Sequence, residues 1–205
     1  MRFTTLRVTP AGIVLRELHR RRLDAAAGPR RAAFQRFAAA AEPGVYALWL
    51  AGDGAARWTR RERSLLADGM AVRYRVSPVA GERGRLPKPP SPGPYDAVRA
   101  AGFATLLTDP AGSEVYEGDT AAVLGWDGAR WLHPPDDRPR VWSTAEVAVR
   151  EHLPARAAPL PVAGDGPLVL VNAVKGPCTL DLPHRPPVPP DALAQIERLF
   201  AELTA

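Results

Sequence analysis

The chain is poor in lysine and in cysteine, and both shortages carry information. Of its 27 basic residues only Lys88 and Lys175 are lysine, and the other 25 are arginine. Cys178 is the single cysteine. An internal disulfide is therefore excluded. One thiol and four scattered histidines do not make a zinc site at any recognisable ligand spacing. No apolar run approaches the ~20 residues that a membrane-spanning helix needs. The opening "MRFTTLRVTP" alternates and lacks an apolar core, so it reads as a strand rather than a secretory signal, and a cytoplasmic protein is expected. Aromatics are sparse, at 7%. The arginines are interleaved with carboxylates, as in "TRRERS", "PPDDRPR" and "VREH". Despite a net charge of +5, this argues against a nucleic-acid partner and for solvated helix faces.

Proline, in contrast, is abundant. Most of its 23 copies cluster at 78–94, 134–139, 154–167 and 183–190, which marks these as connections. Between them lie periodic segments. "FTTLRV" (3–8) reads as a strand, "TPAG" as a turn and "IVL" as a return strand. A helix is expected over 15–27, with Leu15, Leu18, Leu23 and Ala26 on one face and Gly28-Pro29 as its stop. A second helix covers 30–41 with Phe34 and Phe37 inward. Strands follow at 45–51 and 70–76, then a short helix at 95–102 closed by Gly102. Residues 103–109, 113–118, 121–126 and 129–133 read as a strand meander. A helix at 143–152, capped by Ser143 or Thr144, a buried strand at 167–174 and an amphipathic helix at 191–204 complete the chain. The pattern is α+β. It implies two small domains, 1–84 and 95–205, joined by a proline-rich linker at 85–94, with a cleft between them as the default ligand site.

In a chain that writes nearly every cation as arginine, a lysine inside "RLPKPPSPGPY" (85–95) is conspicuous. A lysine amine can deprotonate and attack a carbonyl, whereas a guanidinium cannot.

Several segments, in order, resemble the class IV aminotransferases, the pyridoxal-phosphate fold of branched-chain aminotransferases, D-amino acid transaminases and aminodeoxychorismate lyases. "FTTLRV…G" (3–12) resembles that family's "FETLRV…G", and "HRRRL" (19–23) its "HLxRL". "EGDTAAVLGWDG" (117–128) is similar to "EGSxxNIFVVxDG", "HPP" (133–135) to "TPP", and "LVLVNAVKG" (168–176) to "VFLTNSLxG". "YDAVRAAGFATLLTDPAG" (95–112) looks like the stretch that follows the family's lysine in its lyase branch.

The resemblance implies a pyridoxal 5'-phosphate enzyme, an aminotransferase or a lyase, acting on a small amino acid or an amino-cyclohexadiene. Lys88 would be the catalytic Schiff-base lysine and would shuttle the substrate's α-proton. Glu117 would face the pyridine nitrogen and Arg22 the phosphate. Tyr95, Ser143, Thr144 and Asn172 would complete the cofactor site, and the chain would work as a homodimer. Against the family pattern, the contacts to the cofactor, the phosphate cup among them, are thinned. Thr4 replaces a glutamate, Ala122 an asparagine and Ala173 a serine, and the loop before the helix at 143 is shortened to "DRPRVWST" (137–144). Prolines 89, 90, 92 and 94 forbid a regular helix directly after Lys88. The alternative implied by these losses is a degenerate member that keeps the fold, has lost the cofactor and binds another ligand or a protein.

Overall fold

The computed structural model describes residues 1–61, 66–89, 94–99 and 101–204. The first part of the chain builds a four-stranded antiparallel sheet. It contains β1 (Arg2–Thr9), β2 (Gly12–Ile13), helices α1 (Arg16–Arg22) and α2 (Gly28–Ala40), then β3 (Gly44–Leu50) and β4 (Ala56–Arg61), in sheet order β2-β1-β3-β4. Strand alternation decides what each face does. Even-numbered Leu6, Val8, Tyr46, Leu48 and Leu50 join a core with Phe34 and Phe37 of α2. Odd-numbered Phe3, Thr5, Val45 and Arg61 face a cavity instead.

Phe37 is fully buried and its ring meets those of Phe34, Tyr46 and Trp58. Phe37→Ala is therefore expected to cost about 3–5 kcal/mol, measured by urea unfolding.

The helix expected over 15–27 is shorter than its apolar pattern. It ends at Arg22, Asp24 adopts a φ of 54°, and Gly28-Pro29 opens α2 instead of stopping α1. Proline suits a first helical turn because its missing N–H would have no partner there. The break rotates the chain, so Ala25 is buried and Ala26 is exposed. Strand β4, absent from the sequence reading, is mostly exposed and arginine-rich, so it shows no apolar alternation.

The rest of the chain forms β5 (Met70–Val76), β6 (Arg85–Leu86), β7 (Ala104–Thr108), β8 (Val115–Gly118), β9 (Ala122–Trp126), β10 (Trp131–His133) and β11 (Arg140–Val141). Helix α3 (Thr144–His152), β12 (Ala155–Ala157), β13 (Leu168–Asn172), β14 (Gly176–Asp181) and α4 (Pro190–Glu202) follow. Eight of these strands make one mixed sheet in the order β12-β10-β9-β13-β14-β5-β7-β8. The expected meander is thus split. β7 pairs with β8 and β9 with β10, but β13 lies on the other side of β9. The Gly118 N–H donates to the Ala121 carbonyl at 2.8 Å where edge strand β8 turns into central β9, so the sheet curls back on itself.

One face of that sheet, with Leu124, Val169 and Val171, packs on Val147 and Ala148 of α3 and Ile196 and Phe200 of α4. The other face gathers Leu106, Val123, Leu170 and Cys178. Strand β5, which precedes the proline-rich stretch, pairs in parallel with both β14 and β7 and so belongs to this sheet.

No helix forms in the described part of 95–102. Residues 94–98 are turns and Gly102 has a φ of 78°. A segment this short gains too few hydrogen bonds to offset helix nucleation. Residues 90–93 of the proline-rich stretch and residue 100 lie outside the described residues.

Candidate active site

A cavity of about 180 Å³ lies between the two sheets. The smaller sheet lends it Phe3, Thr5, Val45 and Arg61, and the larger one Glu117, Gly118 and Ala122. The seven residues singled out from the sequence, Arg22, Lys88, Tyr95, Glu117, Ser143, Thr144 and Asn172, all line it.

Lys88 is held by an element that its prolines hid. Strand β6 ends two residues before it and pairs in parallel with β11, Arg140 opposite Arg85 and Val141 opposite Leu86. The Trp142 N–H donates to the Leu86 carbonyl at 2.9 Å, extending this ribbon. Proline after Lys88 excludes a helix but not a two-residue strand before it. The amine then reaches over β1, with Nζ 3.4 Å from Thr5 Oγ1 and 5.3 Å from the centroid of the Phe3 ring.

The same ribbon aims a donor at Glu117. The Val141 N–H donates to Glu117 Oε2 at 3.0 Å, and the Tyr95 hydroxyl donates to Oε1 at 2.5 Å. Both carboxylate oxygens are thereby fixed at the cavity wall. Burial pushes Glu117 up to about 7, against the lowering effect of these two hydrogen bonds. The Tyr95 hydroxyl is held well above its usual range, first by burial and then by the Glu117 charge, so it stays a donor. Burial, followed by the charges of Arg22, Arg61 and Arg99, lowers the Lys88 amine to about 7, with Glu117 opposing. Both groups are therefore brought towards neutral pH, the lysine from above and the carboxyl from below.

A third side of the cavity suits an anion. Ser143 caps α3 by accepting from the Glu146 N–H, and Ser143 and Thr144 place that helix N-terminus on the wall. Arg22 lines the same cavity, and its buried Nε has no hydrogen-bond partner among the described residues. Burial lowers the guanidinium to about 10, which leaves it charged. Beneath it, His19 is fully buried against Thr4, with Nδ1 2.8 Å from Thr4 Oγ1. Burial and the charges of Arg22 and Lys88 lower His19 to about 3, so it is a neutral support.

Asn172 lines the cavity but spends its amide on a turn. Its Oδ1 accepts from the Val174 and Lys175 N–H groups, leaving only Nδ2, 3.5 Å from the Thr120 carbonyl. Lys175 is remote from this chemistry and pairs with Asp68 at 2.9 Å.

Among the wall residues that escaped the sequence reading are Arg61, Arg99 and Asp119. Arg61 sits in the "TRRERS" run that reads as solvated charge, and only its strand register turns it inward, opposite Val45. Arg99 pairs with Asp96 at 2.8 Å and Asp119 at 3.4 Å.

These donors fit pyridoxal phosphate: a lysine brought towards neutral pH, a buried carboxyl fixed by two donors, and an arginine with an orphaned N–H beside a capped helix N-terminus. The replacements at Thr4, Ala122 and Ala173 do not remove these groups.

No protein-family model matches the chain and no curated protein matches it in sequence. Solved structures match it along nearly its whole length. A hypothetical aminotransferase from Mycobacterium tuberculosis, in its PLP-bound form, superposes with a TM-score of 0.61 at 20% identity, over 98% of this chain and 86% of that one. The 4-amino-4-deoxychorismate lyase of Pseudomonas aeruginosa gives 0.65 at 20% identity, over 98% and 89%. A fold IV transaminase from Curtobacterium pusillum gives 0.60 at 17% identity, over 98% and 84%. The chain therefore has the mixed α/β fold of class IV aminotransferases and aminodeoxychorismate lyases.

Proposed function

We propose that the protein is a pyridoxal-phosphate-dependent enzyme of the aminotransferase or lyase type, acting on a primary amine that carries a carboxylate. One observation carries this reading. The only lysine of the cavity, one of two in the chain, has an amine lowered to about 7 and shares its walls with the buried Glu117 and with Arg22. Pyridoxal phosphate, when bound, supplies an electron sink for bond cleavage at the α-carbon of an amino substrate. Lys88 would hold it covalently, Glu117 would face its ring nitrogen, and Arg22 with Ser143 and Thr144 would hold its phosphate.

The remaining steps belong to the chain's own residues. Above about pH 7 the Lys88 amine is unprotonated, so it can accept the proton at the substrate α-carbon and return it. Tyr95 and the Val141 N–H keep Glu117 in one orientation. The charges of Arg61 and Arg99 favour an anionic substrate. A homodimer and a cytoplasmic location belong to the same proposal.

The test is to titrate the purified protein with pyridoxal phosphate, reduce it with borohydride and map the adduct by mass spectrometry. A yellow protein labelled at Lys88 and not at Lys175 is the expected result. A colourless protein that takes up no pyridoxal phosphate would favour the second reading, in which the turn-bound Asn172 and the bare Ala122 and Ala173 mark a site turned over to another ligand.

A further inference from the structure

A buried ionic cluster lies directly behind the ribbon that carries Lys88. Glu146, on α3, is 1% exposed. Its carboxylate accepts from Arg85 at 2.6 Å and from Arg140 at 2.8 Å, and Arg150 lies 3.4 Å away. Arg140 is itself 1% exposed. Asp136 closes the far side, 3.3 Å from both Arg85 and Arg140 and 2.6 Å from Arg150. His133 is near enough to the two carboxylates to form a ligand set with them, yet three guanidinium groups already neutralise that set.

A buried ion cluster is weak evidence of stabilisation, because desolvation offsets most of its attraction. Its connectivity is informative instead. Arg85 and Arg140 are register partners on β6 and β11. Glu146 thus clamps the two strands of one ribbon. One strand runs into Lys88, and the other presents the Val141 N–H to Glu117. Among the described residues, this clamp anchors the N-terminal side of Lys88.

We propose that Glu146 is a positioning residue for the active site, holding through Arg85 and Arg140 the ribbon that sets the place of the Lys88 amine and of the Glu117 carboxylate. It touches neither reacting atoms nor ligand. The inference rests on the reading of Lys88 as the reactive amine, but its test needs no cofactor.

The experiment is reductive methylation of the full chain with formaldehyde and cyanoborohydride across a pH series, followed by mass spectrometry at both lysines. Lys175 is the internal reference, since its pairing with Asp68 raises its amine. The groups acting most on Lys88 are Arg22 from α1, Arg61 from β4, Arg99 from the turn and Glu117 from β8. Arg85, Arg140 and Glu146 are not among them, and loss of charge alone would move the Lys88 midpoint in opposite directions, up in Arg85→Gln and down in Glu146→Gln, so a rise in both reports displacement of the amine.

In the wild type, half-maximal labelling of Lys88 is expected near pH 7. In Arg85→Gln and Glu146→Gln it is expected to rise by one pH unit or more, with Lys175 unchanged. Arg85→Gln leaves Glu146 paired with Arg140 and Arg150, so this variant carries the test if Glu146→Gln does not fold. Folded variants whose Lys88 midpoint stays at the wild-type value would overturn the clamp. So would failure of Arg85→Gln to fold, because the cluster would then support the whole domain rather than the site. A wild-type midpoint near that of a free lysine would instead overturn the reading of Lys88 itself.

Discussion

Replacing Lys88 by alanine is expected to abolish borohydride-stable attachment of pyridoxal phosphate and to lower turnover by ~10²–10⁴-fold, the range for a positioned acid–base group. The accompanying change in stability separates a chemical lysine from a structural one. Among the described residues Lys88 gains little from the fold, a 3.4 Å approach to Thr5 and the face of Phe3. Its cost is larger, since burial and three arginines bring the amine from 10.5 to about 7. A base whose folded value lies below its unfolded one contributes stability above the unfolded value and loses it as pH falls through the folded value. The Lys88 contribution is therefore worst below pH 7 and recovers towards pH 10.5. Lys88→Met is accordingly expected to raise the melting temperature at pH 6 and to change it little at pH 10, while lowering turnover as far as alanine does. A lysine retained for stability would show the reverse sign at pH 6.

The sequence made this site legible wherever chemistry and chain order coincide. Lys88 stood out because the chain has one other lysine, and Glu117, Arg22 and Tyr95 were placed by ordered resemblance. The structure gathers all of them at one cavity. What failed was information that lives in long-range pairing. Arg61 reads as a surface charge until β4 is registered against β3, 16 residues away at the Val45 pair. The support of Lys88 was hidden for a similar reason. A two-residue strand has no periodicity, and its partner lies more than 50 residues on, beside the shortened loop before α3. The apolar pattern of 15–27 ran on past a helix end that depends on a single residue, Asp24, with positive φ. Asn172 lies on the cavity wall, and the tight turn from β13 into β14 takes up its side-chain oxygen, a contact that its sequence position does not reveal.

Glu117→Gln is expected to leave the fold intact and to lower turnover by ~10²–10³-fold, the scale seen when one preorganised electrostatic group is lost. The amide can be accommodated, because its oxygen can accept from the Val141 N–H while its nitrogen donates to the Tyr95 oxygen. What it cannot do is carry negative charge at the cavity wall. Stability again supplies an independent readout. Glu117 is 4% exposed, and burial raises it from 4.5 to about 7. A carboxyl with a raised folded value contributes stability below its unfolded value and loses it as pH rises through the folded one. Its contribution therefore falls between pH 4.5 and 7, by about 3 kcal/mol at this shift. Lys88 recovers its own between 7 and 10.5. His19, lowered to about 3, gains stability over pH 3–6.5 and offsets the Glu117 loss in the whole protein, so each group is read from its variant minus the wild type. In the ligand-free protein the melting temperature of Glu117→Gln relative to wild type should rise between pH 4.5 and 7, and that of Lys88→Met should fall between pH 7 and 10.5. Differences that do not change with pH would show that the cavity does not hold these two groups in the ionisation states on which the proposed chemistry depends.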